Sequence, residues 1–121
     1  HAAAVLDYSM PAEVGKRPSG QESWKIELKP TLKHISELSQ HVGKCVRIGF
    51  KLETNVSEEQ LIQKSQDQIS KYGVDVVVAN LLGQIGDSEY PRARLVNPDG
   101  SFKVLNSEMD LCEELEKFIS R

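Results

Sequence analysis

An α/β domain with a mostly parallel sheet and flanking helices, closed by a β-hairpin and a last helix, is what this sequence predicts. Three observations carry that expectation. Val74-Asp75-Val76-Val77-Val78-Ala79 is an almost unbroken β-branched run, the kind buried on both faces of a parallel sheet. A second apolar run, Cys45-Val46-Arg47-Ile48-Gly49-Phe50, lies upstream, and the residues between the two have helical spacing. Helices between core strands require crossovers, and these join parallel strands with a right-handed turn. At 121 residues the chain is one domain, long enough to build a core without disulfides.

Each element has its own local signal. Ala2-Ala3-Ala4-Val5-Leu6 reads as a buried strand ending at Asp7-Tyr8. Residues 9–22 are turn formers and charges around a Pro-Ser-Gly step, a loop of a length that usually serves function. Residues 24–29 alternate apolar and polar, a half-exposed strand stopped by Pro30. Thr31 caps a helix through Val42, with Leu32, Ile35 and Leu38 facing inward and Gly43 closing it. Ser57, with Gln60 three residues later, forms a capping box. It opens a helix to about Lys71 whose inward face (Leu61, Ile62, Ile69) is thin, and Gly73 ends it. Residues 92–96 and 102–105, joined by Asn97-Pro98-Asp99-Gly100, make a hairpin. Ser107 and Asp110 open the last helix, striped with Leu111, Cys112, Leu115, Phe118 and Ile119.

Composition excludes several classes. Net charge is −3, and the basic residues of the first half are spread out, which argues against a nucleic-acid arm. No apolar run approaches the ~20 residues of a membrane helix. Cys45 and Cys112 have no CxxC spacing and no histidine at ligand distance, so a zinc site or disulfide framework has no support. Both are expected as buried thiols in a reducing, cytoplasmic setting. HExxH and GxSxG are absent, which weakens metallohydrolase and serine-hydrolase readings. The chain opens on His1 and runs straight into an apolar segment, as expected of the C-terminal part of something longer.

Ligands of open parallel sheets bind outside the carboxyl ends of the strands. The first polar groups there are Asp7-Tyr8, the stretch after Phe50 (Lys51-Leu52-Glu53-Thr54), and Asn80. An aromatic face, an ammonium and a carboxamide suit a nucleotide through stacking, phosphate charge and base-edge hydrogen bonds. Plainer roles suit them too: Phe50 as core, Lys51 as solvated surface, Asn80 as a turn or cap residue. Lys16 and Arg17 sit among small residues in the 9–22 loop, a phosphate-reaching arm or simply a soluble tip, without a Walker A or GxGxxG pattern. Glu27 and Glu53 are candidate acids with no evident partner.

Together these segments carry a resemblance. Ala2-Ala3-Ala4-Val5-Leu6-Asp7-Tyr8, Gly15-Lys16 with Ser19, Lys29-Pro30-Thr31 with Lys33, Gly49-Phe50-Lys51-Leu52-Glu53-Thr54 and Val76-Val77-Val78-Ala79-Asn80-Leu81 stand in order. The sequence resembles, over essentially its whole length, the C-terminal half of phosphopantothenate–cysteine ligase (phosphopantothenoylcysteine synthetase) in the DNA/pantothenate metabolism flavoprotein family. The resemblance implies a Rossmann-like partial domain, residues 1–121, whose N-terminal half is absent. It implies a cytoplasmic, homodimeric ligase of coenzyme A biosynthesis that joins 4′-phosphopantothenate to cysteine through an acyl-nucleotidylate. CTP or ATP would be the co-substrate, with Mg2+.

Residue by residue, Lys16 matches a catalytic lysine on a mobile loop that contacts the nucleotide phosphates. Phe50 and Asn80 match positions that hold the base, and Ala4 and Asp7 lie on the strand end lining that pocket. Lys51 stands where stand-alone members keep a lysine, which favours a monofunctional enzyme. Leu6 departs from the usual Ser or Ala, and Arg17-Pro18 from the usual loop sequence. The alternative reading is a non-catalytic nucleotide-binding α/β module or subunit, and a plain structural α/β domain is the third.

Overall fold

A computed structural model describes residues 6–16, 19–20, 22–41 and 43–120. Chain order is β1 (Tyr8–Ser9), β2 (Lys29–Pro30), α1 (His34–His41), β3 (Ile48–Glu53), α2 (Glu58–Tyr72) and β4 (Val76–Leu81). A 3-10 turn (Leu82–Gln84) follows, then β5 (Ala93–Val96), β6 (Phe102–Leu105) and α3 (Glu108–Ile119). The main sheet has the order β3-β4-β5-β6. β3 and β4 are parallel, joined by the α2 crossover, and the hairpin adds two antiparallel strands. This is the expected α/β architecture, with a mixed sheet of four strands.

The well-formed elements follow their local chemistry. The Ser57 hydroxyl accepts the Gln60 N–H at 3.3 Å while the Gln60 side chain accepts the Ser57 N–H at 2.9 Å. At the other end of α2, Gly73 takes φ 63°, the left-handed cap that a side chain disfavours, and its N–H reaches Ile69 O at 2.8 Å. Ser107 and Asp110 repeat the capping box on α3. Gly100, at φ 84°, closes the hairpin turn by donating to Asn97 O at 3.0 Å.

Two apolar layers sandwich the sheet. Leu61, Ile62 and Ile69 of α2 pack on Val77, Ala79 and Val96. Ser65 lies among them, fully buried, its hydroxyl donating to Leu61 O at 2.8 Å. On the opposite face Leu111, Leu115 and Phe118 of α3 cover Val76, Val78, Ala93, Leu95 and Leu105. The sheet has room for α2 because position 49 is glycine: a Cβ there would stand 2.9 Å from the Gln68 side chain and 3.2 Å from Val77.

The first third of the chain departs from expectation. Residues 1–5 lie outside the described residues, and Leu6, expected to be buried, is exposed. Residues 23–28 form no strand; Trp24, Ile26 and Leu28 are exposed, and only Lys29–Pro30 pairs, antiparallel, with Tyr8–Ser9. Alternation marks a strand only where a neighbouring strand exists to bury one side. Thr31 does not cap α1, which starts at His34; its hydroxyl donates to Leu6 O and its N–H to Asp7 O at 2.9 Å. Leu32 is exposed, while Ile35 does pack on the core; the expected last helical residue, Val42, lies outside the described residues. The second core strand starts at Ile48, so Cys45 lies ahead of it, exposed, as is Cys112 on the outer side of α3. The expectation of buried thiols is therefore overturned. No helix among the described residues is long and apolar enough to cross a membrane.

Candidate functional site

The carboxyl ends of β3 and β4 lie side by side. In register, Phe50 faces Val78 and Leu52 faces Asn80. Paired residues of parallel strands share a face, as do residues two apart, so Phe50, Leu52 and Asn80 stand on one face. Strand spacing and rise put the Phe50 and Asn80 backbones roughly 8 Å apart, within the span of one nucleoside. That face belongs to α3, yet α3 leaves the end of β3 open: Phe50 is 62% and Leu52 55% exposed. The result is a bare apolar shelf beside a half-exposed carboxamide. A flat heteroaromatic ring fits such a surface, with apolar area beneath and a donor–acceptor pair at the rim.

Lys51 projects from the other face, with Glu53 and α2. Its ammonium lies 2.9 Å from Glu53 Oε1, and Lys64 of α2 lies 2.7 Å from Glu53 Oε2. Two cations on one carboxylate hold the Glu53 carboxyl below its ordinary range, Lys64 contributing most and Lys51 next. Glu53, which sequence reading left without a partner, thus has two. Glu27 is exposed in the stretch that forms no strand. Around the triad opens a cleft of about 470 Å3 between α1, α2 and β3, also lined by Lys33, Lys71 and Tyr72.

The remaining candidates are spread apart. Asp7 precedes β1, and its carboxylate pairs with Lys33 at 2.8 Å, which pushes the Lys33 ammonium above its ordinary range. Lys16 is exposed in an irregular stretch next to Gly15, whose φ of 101° suits glycine alone. Ala4, and Arg17-Pro18 of the lysine loop, lie outside the described residues. Phe50 and Asn80 are therefore brought together, and Lys51 is turned to the opposite side of the sheet.

Arg94 is a polar group that the sequence reading overlooked. It is buried at 4% exposure, with Nε donating to Glu58 Oε2 at 2.6 Å and Nη1 to Gln84 Oε1 at 2.9 Å. A charged residue inside an otherwise apolar four-residue strand was the available signal. Among the described residues no three His, Cys, Asp or Glu side chains gather as a metal site. A magnesium ion bound together with nucleotide phosphates needs only one or two carboxylates, and the candidates Asp7 and Glu53 are both paired with lysines.

Comparison with known proteins places this geometry in a family. The coenzyme A biosynthesis bifunctional protein CoaBC of Thermococcus kodakarensis is 36% identical over 115 residues, which cover 94% of this chain and 28% of that protein. CoaBC of Methanocaldococcus jannaschii is 27% identical, with 99% and 30% covered. The chain thus spans under a third of these curated relatives. Both are named bifunctional, so Lys51 as a mark of a monofunctional enzyme gains nothing from them. Among solved structures, the DNA/pantothenate metabolism flavoprotein of Streptococcus pneumoniae aligns with a TM-score of 0.67 at 26% identity, over 85% of this chain and 46% of that one. A Cab2 mutant in complex with phosphopantothenate-cysteine shares the fold, with a TM-score of 0.59 at 22% identity over 78% of this chain and 32% of that one. Residues 1–115 match the family model described as the DNA/pantothenate metabolism flavoprotein C-terminal domain, and the chain belongs to that family.

Proposed function

We propose that this chain is the nucleotide-base half of a cytoplasmic phosphopantothenate–cysteine ligase acting in coenzyme A biosynthesis. The observation that supports the reading is the placement of Phe50 and Asn80 on one open face at the carboxyl ends of adjacent parallel strands. In the first step the 4′-phosphopantothenate carboxylate attacks the α-phosphorus of CTP or ATP, and pyrophosphate leaves. In the second, the cysteine amine attacks the acyl carbon, the nucleoside monophosphate leaves, and the amine loses its proton. The protein's part is to position groups and offset phosphate charge. Phe50 and Asn80 hold the base, and Lys16 reaches the phosphates from its exposed loop. By the family resemblance Asp7 belongs to the pocket lining, and Lys51 adds positive charge from the far side of β3. The N-terminal half of the domain supplies the other wall.

The working protein is a homodimer in this reading. Two segments could offer an edge, residues 24–29 and the 92–105 hairpin; the first contributes only Lys29 to a two-residue strand, which leaves the hairpin. β6 is the outer strand of its sheet and shows half-exposed Phe102 and Val104. Such an edge accepts a strand from a second copy.

The test is nucleotide titration and pyrophosphate release by this chain alone and by the intact protein with 4′-phosphopantothenate. Pyrophosphate release by the intact protein, followed by cysteine-dependent product, supports the ligase. Nucleotide binding without release leaves a binding module instead.

A further inference from the structure

The carboxyl ends of β3 and β4 are joined through one buried cation. Arg94 pairs in register with Ala79, so its side chain lies on the α2 face of the sheet, beneath the two loops that leave those strand ends. One arm of its guanidinium reaches Glu58, the first residue of α2, at 2.6 Å. Another reaches Gln84, the last residue of the 3-10 turn that starts directly after β4, at 2.9 Å. Glu58 follows the loop from Phe50 and Glu53, and Gln84 lies four residues beyond Asn80.

We propose that Arg94 is a positioning residue for the base site: by clamping Gln84 and Glu58 together it sets where Asn80 stands relative to Phe50, without touching the nucleotide. The proposal rests on the base-site reading above. Three physical points support it. A cation with 5% of its side chain exposed is retained in a sheet only when its donors are met, and both partners come from strand-end loops. The turn's own backbone bonds are long, Ile85 N–H to Leu82 O at 3.3 Å and Asp87 N–H to Gln84 O at 3.4 Å. Beyond that turn, residues 84–92 fold around an open cavity of about 240 Å3, so packing beneath it is incomplete. Only a planar fork serves both partners at once; a lysine would keep the charge on Glu58 and release Gln84.

The experiment uses the intact protein and titrates CTP and ATP separately by calorimetry, alongside thermal melting and steady-state kinetics. Gln84→Met keeps the side-chain length, removes the acceptor and leaves the Arg94–Glu58 pair in place. It should weaken binding of the preferred nucleotide about tenfold, as a raised KM with kcat within about twofold, while the melt falls by no more than one unmet buried donor costs and stays cooperative. Gln84→Glu, which restores an acceptor, should recover most of that loss, and Arg94→Lys should behave as Gln84→Met does. Wild-type affinity in Gln84→Met, with Asn80→Ala still weakened, would overturn the clamp and leave the base site standing. Equal weakening in Gln84→Met and Gln84→Glu would overturn it too, because side-chain identity and not the acceptor would then matter. Unchanged affinity in Asn80→Ala would remove the base site itself, and this proposal with it.

Discussion

Replacing Phe50 by alanine separates a ligand-facing aromatic from a structural one. A phenylalanine side chain offers about 200 Å2 of apolar surface. With the residue 62% exposed, only some 75 Å2 of that is covered in this chain. At about 25 cal/mol per Å2 the stability at stake is about 2 kcal/mol, an upper figure because the unfolded chain already hides part of the side chain. A core phenylalanine would cost about 3–5 kcal/mol. A base stacked on the ring, by contrast, is worth about 1–3 kcal/mol, or roughly 5- to 150-fold in affinity. The assay is calorimetric titration of CTP and ATP into the intact protein, with a denaturant melt of the same preparation. Phe50→Ala should melt slightly early and lose nucleotide affinity by that factor, whereas Phe50→Tyr keeps the ring and most of the affinity. A large loss of stability with unchanged affinity would refute the reasoning, since it would make Phe50 a core residue after all.

Other outcomes follow from the same geometry. Lys16→Ala should slow pyrophosphate release in the intact protein far more than it raises the KM for 4′-phosphopantothenate, because phosphate charge peaks during transfer; rapid-quench kinetics would show it, and unchanged release would rule the role out. Glu53 has a lowered folded-state pKa, so its ion pairs add stability above the ordinary glutamate range, and this is lost as pH falls through the folded-state value. Glu53→Gln should therefore be less stable than wild type at neutral pH, by about 1 kcal/mol or less. The gap should close in acid, and a gap that stays constant with pH would mean the pairs contribute nothing. Phe102→Asp should shift the intact protein towards monomer in light scattering if β6 is the dimer edge, and an undisturbed dimer would move the interface elsewhere.

How much could be read from sequence depended on how local the cause was. Both capping boxes, the Gly73 cap and the Asn97-Pro98-Asp99-Gly100 turn need only neighbours in the chain, and each stands where its residues indicate. β4 was legible because four consecutive buried residues leave no polar face to misread. The 24–28 stretch was not, because its alternation is real but, among the described residues, no strand lies beside it. Thr31 has the chemistry of a cap, yet its hydroxyl donates to the Leu6 carbonyl, 25 positions upstream. At the candidate site, grouping Phe50 with Lys51 by their shared strand end ignored the two-residue period, which sends neighbours to opposite faces. Arg94 was hidden for a different reason. Its partners lie 36 and 10 positions away, and nothing local announces either.

The placement of the core also sets how this protein opens. Every buried hydrophobic side chain among the described residues falls between Leu61 and Leu105, centred on β4, which has a strand on each side and a helix layer over each face. Leu6, Met10, Val14, Trp24, Ile26 and Leu28 all meet solvent. Amide hydrogen exchange should therefore run on two clocks: amides of β4 and β5 exchange only when the whole sheet comes apart, while those of the exposed residues 22–28 exchange well before them. A protease would find the same boundary. Its first cuts would fall in the segment that bears Lys16, leaving the β3-to-α3 unit intact, and bound nucleotide would register as slower cleavage there.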